Sequence, residues 1–236
     1  MGFLRPQHTL IAEILKGLDG ERLLDLRCWF GGGTCIVLQN GEYRLSLDLD
    51  FLCADRDGYR DLRSLAMRQG GRGLVGTHVG IAREFLADQY GIRGVVTLQG
   101  QPIRLEIVRE ARIELEGQMD PDLGVPTLTF TDQVAEKLLA NADQGLDRAV
   151  AFRDAIDLGM LMRRTGTLPA AAVAKADAAY GNDVRRKLLS VLHQLKVPDM
   201  VAHAATTLQM QKADVIAARD RLVIAAAAAW PDTSHG

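Results

Sequence analysis

Two aspartates separated by one leucine, Asp48 and Asp50 in "RLSLDLD", are the residues whose spacing most directly suggests chemistry. Leu45, Leu47, Leu49 and Phe51 alternate with Ser46, Asp48 and Asp50, which is the period of a strand. On a strand both carboxylates face one side, about 6–7 Å apart. They repel each other unless a cation lies between them. Oxygen-only ligands of this kind suit Mg²⁺ (or Mn²⁺), whose coordination is completed by water and substrate phosphates. A third carboxylate on a neighbouring strand completes a two-ion site. Glu106 in "RLEIV" is the natural candidate, and Glu110 or Glu114 takes its place under a different strand register. Upstream, "GGGT" (residues 31–34) lies between a short apolar run and a helical pattern. Bare backbone N–H groups at a helix N-terminus form a phosphate cradle. Thr34 is placed to cap that helix and to offer its hydroxyl to the same phosphate. Neither a Walker motif nor a dinucleotide fingerprint is present.

The elements that must hold these residues follow from periodicity. "HTLIAEILKGL" (8–18) predicts an amphipathic helix, and "TCIVLQNGE" a short one stopped at Asn40-Gly41. Helical patterns follow near 59–69 and 79–90. "GIRGVVTLQGQPIRLEIVREARIELEG" predicts two or three strands, the first pair turning at Gly100. "MDPDLGVP" reads as a loop, and everything from Thr131 onward as helix. The expected division is an α/β domain over 1–128 and an all-helical domain over 129–236, with a frayed "PDTSHG" tail.

Composition sets the outer limits. The chain has 236 residues, 47% hydrophobic and 25% charged, with a formal net charge of -2. This is an ordinary globular composition, without a global basic field. Charge is uneven, however: ten arginines, six acidic residues and no lysine lie between 56 and 112. Such a run is suited to steering a polyanion. Cys28, Cys35 and Cys53 lack metal or redox spacing and read as free buried thiols. No stretch is apolar enough for a signal peptide or a membrane span, so a cytoplasmic protein with no membrane partner is expected. The five histidines show no ligand spacing.

Gly33-Thr34 followed, after residues 35–47, by Asp48-Leu49-Asp50 resembles the signature of the polymerase-β-like nucleotidyltransferases. Within them, "GGT…R-x-S-x-D-x-D-F" is similar to the AbiEii/AbiGii toxin family, with MenT-type relatives. "AEKLLA", which places Lys137, and "FRDAIDL", which places Arg153, Asp154 and Asp157, follow in that family's order. The expected arginine soon after the lysine is missing, with Arg148 the substitute. The resemblance implies an α+β fold, a polymerase-β-like core with a short mixed sheet followed by an all-helical C-terminal domain. It implies transfer of a nucleoside monophosphate from an NTP to an acceptor hydroxyl. Asp48, Asp50 and Glu106 would hold Mg²⁺, with Lys137 and Asp154 also catalytic. Gly32, Gly33, Thr34, Arg44, Ser46 and Asp157 would bind the nucleotide. Lys137 would pair with the triphosphate; Asp154 and Asp157, at i and i+3 on one helix face, could both hold Lys137 or an incoming base, and Arg153 pairs with Asp157 at i, i+4. It further implies a toxin acting on the 3′ end of tRNA, with a cognate antitoxin. Nucleotidylation of a protein or small molecule, or a non-catalytic nucleotide-binding module, are the alternatives.

Overall fold

The computed structural model describes residues 2–231, so most of the "PDTSHG" tail lies outside the described residues. The chain forms two compact units: residues up to Glu42 with Ser46–Thr129, and Tyr43–Leu45 with the chain from Phe130 onward.

The first unit is built on a mixed sheet. Among the described residues it has seven strands: β1 (Cys28–Phe30), β2 (Leu49–Cys53), β3 (Gly80–Ala87), β4 (Gly91–Leu98), β5 (Gln101–Arg109), β6 (Gly117–Asp120) and β7 (Val125–Leu128). Their order is β3-β4-β5-β2-β1-β7-β6. β2 runs parallel to β5, and β1 parallel to β7; the other pairs are antiparallel. The helices are α1 (Pro6–Leu15), α2 (Gly20–Asp25), α3 (Gly32–Gln39) and α4 (Arg56–Gln69). Pro6 opens α1, where its missing N–H costs nothing. Asp55 caps α4 by accepting from Gly58 N at 2.6 Å.

The apolar sides of α1 and α4, including Ile11, Ile14, Tyr59 and Leu62, join one core with Leu49, Phe51, Ile92, Val96, Leu105 and Ile107 of the sheet. Each such buried side chain contributes about 1.5–3 kcal/mol relative to exposure. Because strand side chains alternate, Asp50 and Glu106 face away from this core, and Asp48, just before β2, stands beside Arg104. Cys28, Cys35 and Cys53 are buried and form no disulfide.

Three local expectations are corrected. Residues 79–90 form β3 and the turn after it rather than a helix. Register shifts flank Arg83, and these irregularities break the period-2 pattern: Ile81 and Arg83, two apart, face opposite sides, while Arg83 and Leu86, three apart, share one. The "MDPDLGVP" loop is instead most of a β-hairpin, β6–β7, whose turn is held by Asp120 Oδ1 accepting from Asp122 N and Leu123 N. The aspartate strand begins at Leu49, not Leu45. Leu47 is exposed, and Leu45 N donates to Leu208 O within the helical unit. The β4–β5 turn falls as expected, with Gln99 (φ 49) and Gly100 (φ 76) both left-handed.

The helical unit contains α5 (Phe130–Gln144), α6 (Arg153–Thr165), α7 (Ala170–Tyr180), α8 (Asp183–Gln194), α9 (Pro198–Leu208) and α10 (Lys212–Ala229). α5 packs against α6, α7 and α8, and α6 against α10. At Gly159 a Cβ would stand 2.1 Å from Ala218 O, so only glycine allows α6 and α10 this close. No helix of the described residues is long and apolar enough to cross a membrane.

Candidate active site

In the first unit, the glycine run and the aspartate strand are joined through the backbone. Gly31 is the N-cap of α3, and its N–H donates to Asp50 O at 2.8 Å. Gly32 follows with φ +65, and a Cβ there would lie 2.5 Å from Asp50 Oδ2. Gly32 is therefore required twice, for its left-handed backbone and for the room it leaves the carboxylate. The N-terminus of α3, with no side-chain cap, stands beside Asp50. Its first-turn N–H groups and helix dipole favour an anion. Gly32→Ala should cost about 1–3 kcal/mol from backbone strain, plus displacement of Asp50. Gly41→Ala is the control, having φ +81 but open space for a Cβ. Denaturant melts and Mg–NTP binding of the two variants check this, with loss of nucleotide affinity expected only for Gly32→Ala.

Thr34 does not cap the helix as expected. With Gly31 at the N-cap, Thr34 falls at the third helical position, fully buried, and donates to Ser46 Oγ at 2.9 Å. Ser46 is thereby tied to the glycine loop. A clasp missed in the sequence reinforces it. Ser46 N lies 3.5 Å from His8 Nε2, and His8 Nδ1 is 2.7 Å from Glu42 Oε1. Glu42 also accepts from Leu4 N and from Arg5 N, the latter at 3.0 Å. Burial pushes the Glu42 carboxyl up, but these backbone N–H groups and His8 outweigh it and leave it lowered. No spacing rule links His8 to Glu42; only the seating of α1 brings them together.

β5 aligns with β2 so that Glu106 lies directly beside Asp50. Glu110 follows the end of β5, where its side chain is buried and holds Arg112. Register thus favours Glu106 over Glu110 as the neighbour of the aspartates. The expected three-carboxylate cluster is nevertheless not assembled: among the described residues no group of three potential ligands is gathered for a metal ion. The reason lies on the same sheet face. Arg93, opposite Glu106 on β4, donates to its carboxylate, and Arg104 Nε is 3.8 Å from Asp48 Oδ1. Donor chemistry and strand positions fit a hard cation, while the side chains are turned to arginines.

The helical unit holds a second polar group. Asp154 and Asp157, at i and i+3 on α6, face Lys137 of α5, with Lys137 Nζ 2.7 Å from Asp154 Oδ1 and 2.9 Å from Asp157 Oδ2. Arg44 forks onto Asp157, Nε to Oδ1 at 2.7 Å and Nη2 to Oδ2 at 2.8 Å. Tyr43 donates to Asp157 Oδ1 at 2.7 Å, and Gln144 Nε2 to Asp154 Oδ2 at 3.0 Å. All four charged side chains are buried. Two cations and two carboxylates balance, which is what burial of charge demands. Burial pushes the Asp157 carboxyl up, but Arg44 and Lys137 prevail and hold it well below the usual carboxylate range. Burial lowers Lys137, and Asp154 and Asp157 more than restore it, so its ammonium is raised above its ordinary value.

Several expected roles change here. Arg44 and Asp157, expected at the nucleotide, are bound to each other out of solvent. Lys137 lies between Asp154 and Asp157, the pairing their shared helix face allows, rather than being free for a triphosphate. Asp157 takes Arg44 rather than Arg153 as its arginine. Arg148 is exposed, and its carbonyl accepts from His203 Nε2 at 3.0 Å.

A family model described as "Nucleotidyl transferase AbiEii toxin, Type IV TA system" matches residues 13–226. Among solved structures, a candidate nucleotidyltransferase from H. pylori matches with a TM-score of 0.59 and 17% identity, covering 99% of this chain and 100% of that one. JHP933 from Helicobacter pylori matches with a TM-score of 0.56 and 15% identity, covering 96% of this chain and 94% of that one. At these identities the likeness is one of fold, and the α+β architecture agrees with it. No curated protein sequence matches the chain.

Proposed function

This chain belongs to the nucleotidyl transferase AbiEii toxin family, and from that premise we propose that it transfers a nucleoside monophosphate from an NTP to the 3′ end of tRNA, in the cytoplasm, with an antitoxin as its cognate partner. The observation that carries this reading is the junction of Gly31–Gly32 with Asp50, beside Glu106 in register. An anion-favouring helix terminus thus stands beside Asp50, whose neighbour across the sheet is Glu106.

In the reaction, the acceptor hydroxyl oxygen bonds to the α-phosphorus and the bond to the β-phosphate oxygen breaks. Pyrophosphate leaves, and the hydroxyl proton passes to Glu106 or to water. The first-turn N–H groups of α3, at Gly32 and Gly33, hold the β- and γ-phosphates. Thr34 and Ser46 keep that loop against the aspartate segment. Asp48, Asp50 and Glu106 would hold Mg²⁺ (or Mn²⁺), which when bound neutralises phosphate charge and activates the hydroxyl. For Glu106 to serve, its carboxylate must leave Arg93. Lys137, Asp154, Asp157 and Arg44 act as positioning residues: Lys137 ties α5 to α6, and Arg44 ties the Tyr43–Leu45 segment to α6.

The test is incubation of the protein with each α-labelled NTP, Mg²⁺ and a whole-cell extract containing both RNA and protein. The expected result is label in tRNA-sized RNA, with release of pyrophosphate and loss of transfer on chelation. Label confined to protein or a small molecule would replace the acceptor. No transfer from any NTP would remove the enzyme reading.

A further inference from the structure

The sheet face that carries the aspartates continues beyond them. Directly opposite residues on neighbouring strands project to the same side. One row therefore crosses four strands as Asp50, Glu106, Arg93 and Leu86. The next row runs from Arg104, beside Asp48, through Val95 to Arg83. Neighbouring strands are about 4.8 Å apart, so the arginines extend outward from the carboxylates in strand-sized steps. α1 and α4 pack on the opposite side, against Ile92, Val96 and Leu105.

This face is open. The Arg104 side chain is 64% exposed and that of Arg93 42%. Leu86 is 76% exposed and Tyr90, in the turn joining β3 to β4, 65%. The acids of that hairpin are occupied by backbone. Glu84 accepts from Gly71 N and Phe85 N, and Asp88 from Tyr90 N and Gly91 N. Asp88 also lies 3.6 Å from Arg93. The outer part of the face thus offers cations beside an exposed leucine and tyrosine, and carboxylates able to work on a substrate stand only at its inner end. Cations interleaved with exposed aromatic and apolar side chains match the requirements of a single nucleic-acid strand, whose phosphates need charge and whose bases need a stacking surface.

We propose that the open face of β3–β4–β5 is the track on which the single-stranded 3′ end of the acceptor RNA lies. Its phosphates rest against Arg83 and Arg104, a base stacks on Tyr90, and its terminal hydroxyl is led to the Asp48–Asp50–Glu106 end. This rests on the RNA-acceptor reading above. Once a phosphate occupies Arg93, that arginine has an alternative to Glu106, so acceptor binding and release of the third carboxylate are linked.

The test uses the full chain, a fluorescent single-stranded oligoribonucleotide with a free 3′ hydroxyl, and label transfer to tRNA. Arg83→Glu and Tyr90→Ala lie away from the carboxylates. Tyr90→Ala should weaken oligoribonucleotide binding roughly tenfold, the scale of one lost base stack, and Arg83→Glu should weaken it through a lost phosphate contact. Arg83→Glu should also flatten the dependence of log Kd on log salt by about 0.7 or more, one phosphate contact on a single strand. Mg–NTP binding and melting temperature should be unchanged in both. If the wild-type protein labels tRNA while both variants bind and transfer like it, with the same salt slope, the track is wrong. If the wild-type protein labels protein instead of RNA, the acceptor reading has failed, and the track falls with it.

Discussion

Asp48→Asn should lower kcat/KM for nucleotidyl transfer by about three orders of magnitude, some 4 kcal/mol of transition-state stabilisation, while leaving the melting temperature almost unchanged. The two effects separate for a physical reason. The Asp48 side chain is 46% exposed, and its nearest cation, Arg104, stands 3.8 Å away. An exposed pair of that kind is worth about 0–1 kcal/mol to the fold. A neutral amide of the same shape preserves the strand but is a much poorer ligand for a hard cation. Lost activity in this variant is thus not lost structure. Asp50→Asn should abolish transfer as well, but it is a less clean test because Asp50 also sits against Gly32. Asp48→Asn retaining more than a tenth of wild-type transfer, measured with labelled NTP and RNA, would end the case for the aspartates as metal ligands.

The largest stability effect is expected at Asp157. Asp157→Ala leaves Arg44 and Lys137 buried against the single carboxylate of Asp154. Breaking a buried ion pair from one side costs about 3–5 kcal/mol. In a chain of this size each kcal/mol moves the melting temperature by about 2–4 °C, so a fall of roughly 10 °C is expected. Arg44→Met combined with Asp157→Leu restores charge balance and should cost less than Asp157→Ala alone. A double variant no better than the single one would show that packing rather than charge governs the site.

The pH dependence has a definite sign. The Asp157 carboxyl is held below its unfolded value of about 3.9, so its contribution is complete above that pH and is lost as the pH falls toward the folded value. Lys137 is raised, so its contribution is complete below about pH 10.4 and is lost only as the pH rises through its folded value. Acid melts of the wild type should therefore show a steeper loss below about pH 4 than those of the Arg44→Met/Asp157→Leu protein.

Residues that act through short-range chemistry were legible in the sequence. The D-x-D spacing puts two carboxylates on one side of any extended chain, and a glycine run before a helix exposes N–H groups in any fold. Glu106 was legible as a type on an alternating strand, but only the parallel pairing of β2 with β5 made it, and not Glu110, the neighbour of Asp50. β3 was not legible, because register shifts within it remove the alternation by which strands are recognised. The family's lysine and helix aspartates were found by resemblance. Their partner Arg44 is not legible as such, since it lies 113 residues from Asp157 and pairing over such a separation leaves no local pattern.

By itself, then, the sequence determined the side-chain types and spacing of the two carboxylates and the glycine run, along with the α+β order of the chain. Backbone geometry and side-chain type dictate these within a few residues. Only the tertiary structure decided how those charges are spent. It gave Arg44 and Lys137 to the aspartates of α6, turned Arg93 and Arg104 toward the carboxylates of the sheet, and clasped His8 to Glu42 beside Ser46. A charge takes whichever opposite charge the fold brings within a few ångströms, and burial then makes that choice costly to reverse.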